Sequence, residues 1–297
     1  MKKIAILMTC HNRKGKTIFC LEKVFNQKLT SDIFVGVYLV DDGSTDGTDK
    51  EVRCKFPCVE IIPADGTLFW NRGMHLAFSE ASKNDYDFYL WLNDDTYLFP
   101  HSIETLLQTW KECCRSHRHD KNIIIGSTCD TTGNYTYGGK KCAKGLKPHN
   151  YKIINPSDKL KYADTMNGNI VLIPRSVFET VGNLEKKYCH SMGDLDYGFR
   201  AKNAGCNLVV CPGYQGICNE NNYENSWLNQ SLPVLLRLKK VSSKTGLPFY
   251  DWLLFNYRHS GLFFPFWTLT PYIKIILTGL TSIVKHNNRI INQAGIK

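Results

Sequence analysis

The sequence predicts an α/β fold, a doubly wound sheet covered by helices on both faces, with a helical appendage at the carboxyl end. Three observations carry that prediction. Between Lys3 and Leu92, four short apolar runs alternate with stretches whose apolar residues recur at helical spacing, the pattern of a mostly parallel sheet. Acids fall just past the carboxyl ends of two of those runs, at Asp41-Asp42 and Asp94-Asp95, where open α/β sheets gather their ligands. Past Ser231 the composition turns aromatic and basic, which marks residues 231–297 off from a body of residues 1–230.

The elements follow in order. Lys3 to Met8 reads as a buried strand, and its five consecutive apolar residues are too few for a signal-peptide core. A polar loop follows, Thr9-Cys-His-Asn-Arg-Lys-Gly15. Gly15-Lys16-Thr17 matches the end of a phosphate loop, but that pattern needs glycine where this chain has Cys10, which excludes it. Residues 17–27 form a helix with Ile18, Leu21, Val24 and Phe25 on its apolar face. Ile33 to Val40 is a second strand. It runs into Asp41-Asp-Gly-Ser-Thr-Asp-Gly-Thr48, where Gly43 permits a tight turn and Ser44 or Thr45 can cap a helix over 46–56. Val59 to Pro63 is the third strand. The stretch Asp65-Gly-Thr-Leu-Phe-Trp-Asn-Arg-Gly73 then leads to a helix over 74–82. Its glycines allow close approach to a ligand, Trp70 can stack on a ring, and Arg72 near a helix start can hold a phosphate. The fourth strand, Asp87 to Leu92, delivers Asn93-Asp94-Asp95, and a helix follows from Ser102.

Beyond the helix ending near Cys114, residues 122–128 make another strand and 131–139 a hairpin with its turn at Gly133-Asn134. Residues 139–164 are polar and basic and read as a loop or flap. A strand over 164–173 has a polar start that can face a site. Asp194 opens a helix that carries Asp196 and Arg200 on its first two turns, and 207–211 closes the sheet.

The net charge of +10 is concentrated. Residues 231–297 hold nine Lys/Arg against one acid, Asp251, so that segment carries +8 and the body is nearly neutral. A neutral body argues against a nucleic-acid protein, and a basic, aromatic tail argues for a partner with an anionic surface. No run reaches the length of a spanning helix, so the tail reads as interfacial helices on an anionic membrane face. The twelve cysteines show no zinc spacing and read as reduced thiols of a cytosolic protein, peripheral at the inner face of the cell membrane.

Four features stand together: Thr9-Cys-His-Asn-Arg13, Asp41-Asp-Gly-Ser-Thr-Asp46, Asn93-Asp94-Asp95, and Gly193-Asp194-Leu-Asp196 through Arg200. In this order, over about residues 4–227, they resemble the family 2 glycosyltransferases of the GT-A fold, in their polysaccharide-building, rhamnosyltransferase-like branch. The resemblance implies a Rossmann-like sheet that binds a UDP- or dTDP-linked sugar. It implies that Asp42 meets the pyrimidine ring, with Thr9, His11, Asn12 and Arg13 lining the base pocket. Asp95 is then the ligand for Mn2+ or Mg2+ and Asp94 a sugar or ribose contact, although Asn93 departs from the family's DxD pattern. Trp70, Arg72 and Gly73 fall in the donor-binding region. Asp194 is the catalytic base, with Gly193 where the family places an acid. His190, Asp196 and Asn167 are the acceptor-side candidates, for a glycan or a polyprenyl-diphosphate-linked glycan in capsule or O-antigen synthesis.

The chemistry agrees with these roles. An acceptor hydroxyl attacking an anomeric carbon needs one base, and the diphosphate leaving group needs cations, so one base without an enzyme nucleophile implies a single displacement with inversion. Two other readings use the same fold: a nucleotidyltransferase, which wants a Gly-rich basic loop where this chain has Cys10 to Gly15, and a non-catalytic nucleotide-sugar binding module.

Overall fold

The computed structural model describes all residues except 144–148, 221–223, 225 and 294–297, and no side chains over 280–293. The chain divides into two compact units, Met1–Glu220 and Asn221–Lys297; the sequence places the boundary at 230/231.

The first unit is a mixed α/β body around a central, mostly parallel sheet. Its first half alternates as expected: β1 (Lys2–Cys10), α1 (Lys14–Phe25), β2 (Ile33–Asp42), α2 (Thr48–Lys55), β3 (Val59–Ala64), α3 (Phe69–Ala81) and β4 (Phe88–Leu92). The second half adds β5 (Tyr97–Leu98), α4 (Ser102–His117), β6 (Asn122–Cys129), β7 (Gly139–Cys142), β8 (Tyr151–Ile153), β9 (Lys161–Tyr162), β10 (Thr165–Met166), β11 (Ile170–Pro174), α5 (Arg175–Val181), α6 (Gly193–Asn203) and β12 (Asn207–Ile217). Among the described residues the main sheet runs β3-β2-β1-β4-β11-β6-β12-β5, with β9 on β12. β3, β2, β1 and β4 are parallel, and β11 enters antiparallel between β4 and β6.

Alternation along the strands builds two cores. Ile4, Ile6 and Met8 of β1 face α1 and α4, joining Leu21, Val24, Ile103 and Leu106. Ala5 and Leu7 face α3 and α6, joining Met74, Phe78, Tyr197 and Ala201. β4 is buried along its whole length, as a strand covered on both faces must be. The order turns back on itself between β1 and β4, so the loops after these two strands open a crevice.

Two expectations are corrected. Residues 139–164 are not one loop: β7, β8 and β10 form a separate antiparallel sheet in the order β10-β7-β8. These strands are two to four residues long and polar, so pairing rather than apolar periodicity defines them. The helix expected over 74–82 begins five residues earlier, at Phe69. The cause is distant in sequence. The Asp42 carboxylate accepts the backbone N–H groups of Gly66, Leu68 and Phe69 and satisfies the helix start in place of a local cap.

The second unit holds α7 (Val234–Val241), α8 (Phe249–His259), a short 3-10 turn (Gly261–Phe263) and α9 (Phe264–Gln293). Among the described residues, no helix is long and apolar enough to cross a membrane.

Candidate active site

The loops after β1 and β2 are stitched into one wall. His11 bonds through Nδ1 to the Asp42 carbonyl, the Asn12 N–H donates to Ser44 Oγ at 2.9 Å, and Asn12 Oδ1 accepts the Thr45 N–H at 2.7 Å. Asn12 sits at φ 51°, as do Phe69 at 57° and Met192 at 75° in left-handed backbone. All three adjoin this crevice, and non-glycine residues hold that conformation only where their surroundings enforce it.

Arg13 reaches from the loop after β1 to the acids after β4. Its Nη1 donates to Asp94 Oδ1 at 2.8 Å and its Nη2 to Asp95 Oδ2 at 2.6 Å, so one guanidinium bridges the acid pair. Lys16 Nζ adds a second cation 3.6 Å from Asp95 Oδ2. Asp94 is 2% exposed, and Arg13 takes one of its oxygens. Burial pushes its carboxyl up to about 7, against the opposing pull of Arg13. Asp95 is less enclosed, and among the described residues its Oδ1 faces the Cys218 thiol, at 3.9 Å. No group of three or more His, Cys, Asp or Glu that could hold an ion occurs among the described residues. A carboxylate oxygen is a donor that suits a hard cation, and Asp95 Oδ1 is an oxygen of the acid pair that no cation of the protein takes among the described residues.

Several expected donor residues turn out to shape the crevice. Asp42 is 3% exposed, and both its oxygens accept hydrogen bonds from the backbone of residues 66–69. Gly73 lies inside α3, where a Cβ would stand 2.3 Å from Thr9 Oγ1; it lets α3 pack against β1, and Thr9 fills that space. Arg72 donates Nε to the Lys186 carbonyl at 3.2 Å.

Trp70 joins the two ends of the site. Its Nε1 donates to Asn93 Oδ1 at 2.7 Å, which gives the departure at Asn93 a purpose. Its ring covers Gly168, where a Cβ would stand 2.5 Å from Trp70 Cζ2. The Gly168 N–H in turn donates to Asp194 Oδ2 at 3.1 Å. Asp194 Oδ1 accepts the Leu195 N–H at 2.8 Å. Half-buried at the start of α6, this carboxyl is raised above the usual range by burial, opposed first by the charge of Lys140.

Two residues that the sequence reading passed over or left open are explained here. Asn71 donates to the carbonyls of Glu185 and Tyr188, tying down the loop that delivers Asp194. A Cβ on Gly193 would lie 1.7 Å from Asn71 Oδ1, so no acid can stand before Asp194. Nothing local to Asn71 signals this, since its partners lie more than a hundred residues on. Of the acceptor candidates, Asn167 sits on the turn beside Gly168, with its N–H on the Gly138 carbonyl. His190 lies edge-on to Phe69, with its ring centroid 6.3 Å away. Asp196 is withdrawn: it is fully buried, bonded to Arg200 Nε at 2.8 Å and to the Tyr188 hydroxyl at 3.2 Å, and does not reach the cleft.

Comparison with known proteins adds three findings. Residues 5–158 match the family model described as glycosyl transferase family 2. Two curated proteins, the N-acetylglucosaminyl-diphospho-decaprenol L-rhamnosyltransferases of two Mycobacterium tuberculosis strains, are 24% identical over 199 residues, covering 60% of this chain and 64% of theirs. The chain thus spans just under two thirds of those relatives. The crystal structure of S. aureus TarS superposes with a TM-score of 0.54 at 12% identity, covering 88% of this chain and 44% of that one, a likeness of fold.

Proposed function

The chain belongs to glycosyl transferase family 2, and from that premise we propose that it is an inverting transferase. It moves a sugar from a UDP- or dTDP-linked donor to an acceptor carried on a polyprenyl diphosphate, in the assembly of a cell-surface polysaccharide. The observation that carries this reading is the continuous chain Asp94-Asp95, Asn93, Trp70, Gly168, Asp194. It supports one cleft with a charge-stabilising end and a basic end. The name of the curated relatives, an L-rhamnosyltransferase acting on an N-acetylglucosaminyl diphospholipid, favours a dTDP-linked deoxyhexose and a lipid-linked acceptor.

The chain's residues divide the work. The wall of His11, Asn12 and the Asp42-held turn bounds the nucleotide side. Asp194 takes the proton of the acceptor hydroxyl as its oxygen bonds to the anomeric carbon. The bond from that carbon to the donor phosphate breaks on the opposite face, and its electron pair leaves on the nucleoside diphosphate. Arg13 and Lys16 stand where that charge develops. Mn2+ or Mg2+ held by Asp95 would add Lewis-acid stabilisation of the diphosphate. A carboxyl raised by burial is a stronger base once ionised, so the rate is expected to climb with pH through an acid limb above the ordinary carboxylate range.

The second unit is read as a dock on an anionic membrane. Leu262, Phe263 and Tyr250 are 94%, 72% and 81% exposed, among basic residues such as Lys239, Lys240 and Lys274. Arg237 is not part of that surface: it is buried and donates to the Trp227 carbonyl and Thr278 Oγ1. Replacing Leu262 and Phe263 by serine should shift the protein from the membrane fraction to the supernatant; an unchanged distribution removes the dock.

A panel of UDP- and dTDP-sugars, with Mn2+ and with EDTA, tests the transfer reading. Release of free nucleoside diphosphate is expected, slowed by EDTA. Release of pyrophosphate would identify a nucleotidyltransferase instead, and binding without turnover of any donor a non-catalytic module.

A further inference from the structure

One cation near the base is left unused by this mechanism. Lys140 lies on β7 opposite Thr165 of β10, and the Thr165 hydroxyl donates to the carbonyl of Leu195, the residue after Asp194. Strand alternation turns Lys141 to the other face, where it and Lys202 both pair with Asp164. Lys140 has no such partner: among the described residues no carboxylate lies within ion-pair distance of its ammonium. It is half-buried and stands 5.9 Å from the centroid of the Tyr151 ring, and Asp194 is the charged group that acts on it. His190 Nδ1 is buried and lacks a hydrogen-bond partner among the described residues, and the charges of Asp194 and Arg13 both reach the ring.

A half-buried ammonium without a carboxylate is costly, and so is a buried ring nitrogen without a partner. The cost of the ammonium falls when an anion arrives with a ligand. Arg13 and Lys16 already serve the donor end, on the acid pair. We propose that Lys140 forms an anion subsite on the acceptor side of the cleft, taking a phosphate of the acceptor next to the sugar whose hydroxyl Asp194 deprotonates. This rests on the transfer reading and names the acceptor class of that same site: a sugar phosphate or diphosphate, discriminated from a neutral glycoside by charge.

Calorimetric binding to the full chain separates the possibilities, with three probes: an alkyl diphosphate of N-acetylglucosamine, the matching alkyl glycoside without phosphate, and UDP. The wild type is expected to prefer the diphosphate probe. Lys140→Met should weaken that probe alone by about tenfold, the scale of one charge-assisted contact, and Lys140→Arg should keep most of the affinity. UDP binding should be unchanged in both variants. Equal affinity of the wild type for charged and neutral probes would overturn the subsite. So would a parallel loss of both sugar probes in Lys140→Met, which would make Lys140 a support of the base or the fold, or a matching loss of UDP, which would make it a donor contact. Donor hydrolysis without acceptor reads the transfer proposal independently, so the two can fail separately.

Discussion

Asp94 and Asp194 are both carboxyls raised by burial, yet one is bridged by a guanidinium and the other, among the described residues, accepts backbone N–H groups. The Asp94 end is neutralised in advance: Arg13 spans both acids and Lys16 stands by. The Asp194 end is under-compensated, with the cation of Lys140 nearby but not in contact. A pair built to bind is stabilised by its partner, whereas a base built to accept a proton is kept reactive by lacking one.

Four substitutions press on that difference. Arg13→Ala should be the most destabilising, by about 2–3 kcal/mol, since it leaves a buried carboxylate unpaired. Arg13's partial exposure and proton uptake by Asp94 keep the loss below the full range for a buried pair. Urea unfolding at neutral pH measures it, and a loss under 0.5 kcal/mol, a typical surface change, would show the bridge to be incidental. Gly193→Ala should cost about 1–3 kcal/mol through overpacking against Asn71 and lower kcat by displacing Asp194. Unchanged stability and kcat would mean that Asn71 can move aside. Trp70→Phe removes the bond to Asn93 and also the outer indole edge, Cζ2 and Cη2, that covers Gly168, so at least about 1 kcal/mol should be lost in thermal unfolding.

Asp194→Asn should change stability least, and in the opposite direction. The folded protein holds the Asp194 proton more tightly than the unfolded chain does. The carboxyl's contribution is therefore present at low pH and lost as pH rises through its raised folded pKa. The asparagine variant should match or slightly exceed the wild type above that point and show no advantage near pH 4, about the ordinary carboxylate pKa. A variant less stable than wild type at pH 8 would contradict an under-compensated base.

The parts of this cleft that the sequence disclosed are those written in local chemistry. The apolar runs of β1 to β4, and acids just past β2 and β4, follow from periodicity and composition, and Asp194 was visible as an acid opening a helix. What stayed hidden depends on contacts made at a distance. The start of α3 rests on Asp42, the reason for Gly193 lies in Asn71, and Lys140 is brought near Asp194 by strands too short to show a period. Asp196 marks the opposite error: its spacing from Asp194 suited a cleft, and only its burial against Arg200 shows that it belongs to the core. Arg13 was legible as a site residue but not as the bridge between two acids some eighty residues away.

The central claim is that Asp194 is the base of a sugar transfer driven from the acid pair. Turnover of the nucleotide sugar that the wild type accepts, followed as acceptor-dependent nucleoside diphosphate release, tests it directly in the wild type and Asp194→Asn. The expected result is a kcat lower by about a hundredfold or more, the usual scale of general-base loss, with KM for the donor little changed. Equal kcat in the two proteins would contradict the account.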